Sequence, residues 1–247
     1  MIRYIYNNEI CRKRNGAFTM YISGLQKLTL LDFPGRLAAT VFLGGCNFRC
    51  PFCHNASLVL SPSMCEKISE EEFFEFLRSR SGKLSGVCIT GGEPTLYPQL
   101  KSFIKKIKDL SFAVKLDTNG TNPELLSELI GEGLVDYVAM DIKNSRDKYA
   151  LTVGTDVDMK KIEKSVELLL LGKVDYEFRT TVVKELHTKD GFKAISEWIK
   201  GAKRYFLQTF EDSGDLIGSG FSAYSREETE ALLEVILPNV PNAQIRA

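Results

Sequence analysis

From about residue 36 onward, short apolar runs alternate with amphipathic stretches. Six runs rich in β-branched and aromatic residues predict strands: 36–43 (RLAATVFL), 86–90 (GVCIT), 112–117 (FAVKLD), 137–142 (YVAMDI), 176–183 (YEFRTTVV) and 204–210 (RYFLQTF). Six helices are predicted at 69–79, 98–110, 122–132, 159–171, 189–200 and 226–237. Ser69 and Glu72 have the spacing of a capping box at the first of these. Leu100, Phe103, Ile104 and Ile107 lay an apolar stripe along the second, and Pro123 opens the third. The repeat of about 25–30 residues per unit fits parallel βαβ units.

An open doubly wound sheet and a barrel both satisfy this alternation. Polar residues gather just after the first four predicted strands and at Arg179 within the fifth. In a barrel these positions face one shared mouth, whereas an open sheet concentrates them at one switch point. The expected fold class is α/β, a partial (β/α)6 TIM-like barrel with a short N-terminal extension. One domain is expected, with the extension at 1–35, six βα units over 36–237 and a tail at 238–247. Six curved strands do not close. The segment holding Tyr21, Ile22 and residues 28–31 could pair along one edge, leaving a gap wide enough for a polypeptide. A gap plugged by the tail would restrict the substrate to a small molecule.

Composition narrows the classes. Of the 247 residues, 44% are hydrophobic and 26% charged, which excludes a wholly disordered chain. Lys+Arg and Asp+Glu are both 32, so a global basic field is absent and no nucleic-acid partner is expected. No apolar run approaches the ~18 residues of a membrane helix. The opening MIRYIYNNEICRKRNG lacks a long apolar stretch. The expectation is a cytoplasmic protein with no membrane partner.

Cysteines stand at 11, 46, 50, 53, 65 and 88. Disulfides within the 46–53 cluster would close tiny, strained loops, so metal-binding thiolates fit better. The segment Gly44-Gly45-Cys46-Asn47-Phe48-Arg49-Cys50-Pro51-Phe52-Cys53-His54-Asn55 spaces them C-x3-C-x2-C directly after a strand. A closed zinc site needs four ligands, and His54 could be the fourth, but it adjoins Cys53 and neighbouring side chains point apart. Three thiolates suit a [4Fe–4S] cluster with one iron open. Cys11, Cys65 and Cys88 show no ligand spacing, and Cys88 reads as core.

C-x3-C-x-aromatic-C, here Cys46, Cys50, Phe52 and Cys53, resembles the signature of the radical S-adenosylmethionine (SAM) superfamily. Leu31-Asp32-Phe33-Pro34-Gly35 and the cysteine segment are similar to glycyl-radical-enzyme activating enzymes. Among these, GLQKLTLLDFPG and FLGGCNFRCPFCHN most resemble the activating proteins of anaerobic ribonucleoside-triphosphate reductase.

The resemblance implies a radical SAM oxidoreductase with a [4Fe–4S] cluster on Cys46, Cys50 and Cys53. Reductive cleavage of SAM would give methionine and a 5′-deoxyadenosyl radical, which takes a glycine Cα hydrogen from a partner glycyl radical enzyme. A flavodoxin or ferredoxin-type protein would supply the electron. Cofactor contacts are implied for Phe52, His54, Gly91, Gly92 and Glu93, the last three from the GGEP turn whose backbone would meet the SAM amino group. Lys143 and Arg179 match positions that hold the SAM carboxylate; salt bridges within the protein are the other use of such charges. Asp117, Thr118, the Ala139 carbonyl and Asp141 resemble a monovalent-cation site. Some activating enzymes place a histidine against adenine near the sixth strand. This chain lacks that histidine, and Phe210 or Gln208 could take its place against the adenine. His187 is expected to face solvent. The alternative is a radical SAM enzyme acting on a small molecule such as a deazapurine precursor. It would add polar residues inside the barrel, and the sequence shows no excess of them. An Fe–S electron carrier would have no need of GGEP.

Overall fold

A computed structural model describes residues 20, 22–62, 64 and 67–246. Cys11, Tyr21, Cys65 and most of the N-terminal extension lie outside the described residues. The strands are β1 (Ile22–Thr29), β2 (Ala38–Leu43), β3 (Gly86–Gly91), β4 (Ala113–Thr118), β5 (Tyr137–Asp141), β6 (Asp175–Val182), β7 (Tyr205–Thr209) and β8 (Ala243–Arg246). They form one eight-stranded sheet in chain order, with β1 and β8 at its two edges. β2 to β8 run parallel, and β1 is antiparallel to β2. The helices are α1 (Ala56–Leu60), α2 (Glu70–Ser79), α3 (Leu100–Asp109), α4 (Pro123–Gly131), α5 (Tyr149–Val153), α6 (Met159–Leu170), α7 (Lys189–Trp198) and α8 (Arg226–Ile236).

The six expected strands are β2 to β7, and the six expected helices are α2, α3, α4, α6, α7 and α8. Their boundaries move by no more than two residues. The capping box of Ser69 and Glu72 is formed. The apolar stripe of α3 is buried as its spacing requires. The arrangement is the partial TIM-like barrel that the alternation implies, with one correction. The extension pairs along one edge as expected, through β1. Residues 243–246, expected within a tail, form β8 on the other edge, so the sheet has eight strands rather than six.

β8 is held by a side chain as much as by its ladder. Arg246 donates Nη1 to Glu177 Oε1 at 2.8 Å and Nη2 to Oε2 at 3.0 Å. Its guanidinium also lies 3.6 Å from the centroid of Phe206. Glu177, whose side chain is 1% exposed, accepts a further bond from the Tyr137 hydroxyl at 2.8 Å. Burial pushes the Glu177 carboxyl up, but the bonds from Arg246, with Arg179 nearby, outweigh it and hold it below its ordinary value. A depressed acid stabilises the fold above its unfolded pKa, and that contribution disappears as pH falls through the folded value. Arg246→Ala is therefore expected to cost about 1–3 kcal/mol near neutral pH, less than a fully buried pair because the arginine is part-exposed. Urea unfolding at pH 7 and at pH 3 should show the deficit shrinking in acid; an equal deficit at both would contradict the assignment.

The floor of the barrel explains the LDFPG segment. Phe33 is buried with Ala38, Ala113 and Tyr137 in a small cluster of its own. The Phe33 and Tyr137 rings lie 6.2 Å apart. Asp32 accepts a hydrogen bond from Thr40. The end of the barrel opposite the cysteine loop is thus plugged by this turn.

Candidate functional site

Parallel register brings the chemistry to one end of the sheet. Phe42 pairs with Thr90 and Leu43 with Gly91, Asp117 with Ala139, Asp141 with Arg179, and Thr181 with Gln208. Of these, Thr90, Gly91, Asp117, Asp141, Arg179, Thr181 and Gln208 ring a cavity that also receives Cys46, Cys50 and Cys53 from the loop after β2. Phe52, His54, Gly91, Gly92, Asp117, Thr118, Asp141, Lys143, Arg179 and Gln208 line the same space.

The cysteine loop is braced from several sides. Arg49 donates through Nη1 to the carbonyls of Cys46 (2.6 Å) and Phe48 (2.7 Å), and its backbone N–H bonds the Val153 carbonyl at 2.8 Å. Phe52 meets the rings of His187 and Phe221 edge-on at 6.3 and 6.4 Å. Asp215, from the long connection after β7, accepts from Ser57 N at 3.2 Å and from Ser57 Oγ at 2.5 Å. In the same connection, Gly218 N donates to the Pro51 carbonyl at 2.7 Å. Burial pushes the Cys46 thiol up to about 12 and Cys50 to about 11. The nearby Lys143 ammonium pulls both down.

The GGEP turn packs against this loop so closely that side chains are excluded. A Cβ on Gly92 would stand 1.9 Å from the Gly45 carbonyl oxygen. Gly91 has φ +111, and a Cβ there would stand 2.4 Å from the Leu43 carbonyl oxygen. Gly91 and Gly92 line the cavity, but Glu93 does not. Its carboxylate is fully buried and accepts from Thr95 N (3.0 Å), Thr95 Oγ1 (2.5 Å), Thr118 Oγ1 (2.8 Å) and Asn119 N (2.6 Å). The Glu93 side chain ties the end of β3 to the end of β4.

The two aspartates expected at a cation site are already engaged by the protein's own cations. Arg179 donates Nη1 to Asp117 Oδ2 at 3.1 Å and Nε to Asp141 Oδ1 at 3.0 Å. Lys143 Nζ bonds Asp141 Oδ2 at 3.0 Å, and the buried Lys115 Nζ bonds Asp117. The Thr118 hydroxyl is engaged by Glu93 and by the Gly120 N–H. Burial pushes Asp141 up, yet Lys143 and Arg179 together hold it at about 2. Asp117 is likewise depressed against its burial by Arg179 and Lys115. Arg179 directs its donors to the aspartates. Lys143, with three donors and one acceptor among these bonds, keeps capacity for an anion in the cavity.

Three further expectations are corrected. Phe210 is buried against His54, with ring centroids 5.3 Å apart, and Gln208 rather than Phe210 lines the cavity. His187 is 1% exposed, not solvent-facing. Its Nε2 lies 2.8 Å from the Lys143 carbonyl and so carries the proton, while Nδ1 accepts from Val183 N at 3.1 Å. The barrel also carries more inward charge than expected, with Lys115, Asp117, Asp141, Glu177, Arg179 and Arg246 paired on one face. Cys88 is core as expected, with its Sγ 3.7 Å from Lys115 Nζ. Lys115 could have been read from FAVKLD, because it stands two residues before Asp117 on the same face of a strand.

The family model of the radical SAM superfamily matches residues 40–198, from the second strand through the cysteine loop to α7. The chain belongs to the radical SAM superfamily. A protein of Methanocaldococcus jannaschii named as a glycyl-radical enzyme activating enzyme is 36% identical over 198 residues, covering 77% of this chain and 80% of its own. The pyruvate formate-lyase-activating enzyme of Clostridium pasteurianum is 32% identical over 132 residues, 51% of this chain and 53% of that one. Among solved structures, Streptococcus suis SuiB shares the fold with a TM-score of 0.66 over 83% of this chain and 47% of its own, at 14% identity. In this radical SAM enzyme, no described helix is long and apolar enough to cross a membrane.

Proposed function

We propose that the chain is an activase that removes a glycine Cα hydrogen from a partner glycyl radical enzyme, and that the partner is anaerobic ribonucleoside-triphosphate reductase. The observation that carries this reading is the closure of the barrel's inward charges on one another. Lys115, Arg179 and Lys143 answer Asp117 and Asp141, and Arg246 answers Glu177. Beneath the cysteine loop the inner face therefore offers a small polar substrate few free groups, and Phe33 plugs the floor. The tail occupies one edge as β8, but β8 and β1 are not neighbours in the sheet, so a polypeptide loop can still enter from the mouth or between these two edges. The choice of reductase rests on the segments GLQKLTLLDFPG and FLGGCNFRCPFCHN.

The donor set fits a [4Fe–4S] cluster: three soft sulfurs on one loop face one cavity, with a lysine ammonium near them. Bound there, the cluster supplies the single electron that turns SAM into a hydrogen-atom abstractor. The chain's residues bind and orient. The backbone at Gly91 and Gly92 would receive the SAM amino group and Lys143 its carboxylate, and Gln208, which lines the same cavity, would be available to the adenine. Phe52 and His54 wall the cavity. Arg179 and the two aspartates hold Lys143 in place, the role we assign them instead of binding a monovalent cation. No side chain acts as acid or base. A flavodoxin or ferredoxin-type protein delivers the electron.

The test is anaerobic incubation of the iron-loaded chain with SAM, dithionite and the reductase. A glycyl-radical EPR signal on the reductase is expected. A silent reductase, with a small metabolite consumed in step with SAM, would overturn the reading.

A further inference from the structure

We propose that Asn119 is a positioning residue for the iron–sulfur centre: its side-chain amide donates a hydrogen bond to the sulfur of Cys46 and makes a cluster bound there easier to reduce. The inference rests on the proposed ligand role of Cys46.

Asn119 sits in the turn after β4, buried and held through its backbone N–H and both ends of its side-chain amide. Its backbone N–H donates to the buried Glu93 carboxylate at 2.6 Å. Its Oδ1 accepts from Thr121 N at 3.1 Å and from Thr121 Oγ1 at 2.7 Å. A backbone N–H can only donate, so these bonds set which end of the amide is oxygen. The NH2 end must then face the cysteine loop. It donates to Asn47 Oδ1 at 2.8 Å and lies 3.9 Å from Cys46 Sγ. Asn47 closes the ring by donating Nδ2 to Thr121 Oγ1 at 3.0 Å. The same sulfur receives the Phe48 backbone N–H at 3.3 Å.

Hydrogen bonds to cluster sulfurs favour the more negative oxidation state and raise the reduction potential. The amide is fixed through Glu93, so the turn expected to meet SAM and the sulfur of Cys46 share one rigid network. That network places Asn119 without requiring it to touch SAM.

The experiment is a one-electron potentiometric titration of the reconstituted full chain, without SAM, followed by EPR. Asn119→Leu removes the donor at similar volume. Asn119→Asp keeps an acceptor for Thr121 but puts a carboxylate toward the sulfur. At fixed potential the reduced-to-oxidised ratio is expected to fall about three- to tenfold in Asn119→Leu, a tenfold change being ~59 mV for one electron. It should fall further in Asn119→Asp, with iron content unchanged in both. Should one variant fail to fold, the other decides. Wild-type ratios in the folded variants would overturn the proposal alone. Iron loss with an unshifted potential in the cluster that remains would do the same and show a purely structural residue. A wild-type chain that takes up no cluster would overturn both this proposal and the functional reading beneath it.

Discussion

Cys50→Ala is expected to abolish SAM cleavage, and Cys46→Ala and Cys53→Ala to do the same, while Cys88→Ala keeps its iron. Residues that merely support a metal ligand cost ~10–100-fold on removal, so loss of a ligand should exceed ~100-fold. Cys50 is buried and faces the cavity shared with Cys46 and Cys53. Cys88 lies within β3, lines no part of that cavity and contacts Lys115 and Asp117. Its truncation should cost about 1 kcal/mol of stability, an ordinary value for a single substitution. Iron and sulfide analysis, with 5′-deoxyadenosine formation under dithionite, checks all four variants. A Cys50→Ala protein with wild-type turnover would sink the ligand assignment.

Arg179→Ala is expected to destabilise the fold by about 1–3 kcal/mol, because it removes the charge-assisted bonds that bridge Asp117 and Asp141 while Lys115 and Lys143 still answer the two carboxylates. The arginine side chain is 13% exposed and bridges Asp117 and Asp141. Lys143→Ala should behave differently. Its side chain is part-exposed in the cavity, so the main effect is on SAM affinity, about 1.5–3 kcal/mol for a charge-assisted bond. The sequence treats the two cations alike, as joint holders of the SAM carboxylate; the geometry separates them. The pH dependence follows from the carboxylates. Asp141 is depressed to about 2 and Asp117 is also lowered. Their ion pairs stabilise the fold fully above the unfolded carboxylate pKa of ~4 and lose that contribution as pH falls through the depressed values. The Arg179→Ala deficit is therefore largest near neutral pH and shrinks below about pH 4. Urea unfolding across pH, with calorimetry for SAM, separates the roles. Equal stabilities of Arg179→Ala and wild type at pH 7, or an unchanged SAM affinity in Lys143→Ala, would contradict this division.

Much was legible because it is local. The C-x3-C-x2-C loop, the glycines of GGEP and the carboxylates closing β4 and β5 sit at fixed distances along the chain. Strand periodicity and helix caps place them at one end of the sheet. The six central βα units were set by hydrophobic spacing that survives in the structure nearly residue for residue. Residue type, spacing and period were sufficient for the fold class, the cysteine loop and the direction in which the strand ends face.

What packing decided is pairing across long sequence separations. Glu93 belongs to the best-marked turn in the sequence, yet its carboxylate points into the protein because Thr95, Thr118 and Asn119 offer it four donors there. His187 looked like a loop residue and is buried because the Lys143 carbonyl and the Val183 N–H take both ring nitrogens. Four residues, AQIR, carry too little pattern to announce a strand; Glu177, 69 positions earlier, captures Arg246 and makes them one. Periodicity reports which face a side chain occupies. It does not report which partner waits on that face, because charge pairing depends on positions brought together only when the sheet curves and the loops close over its end.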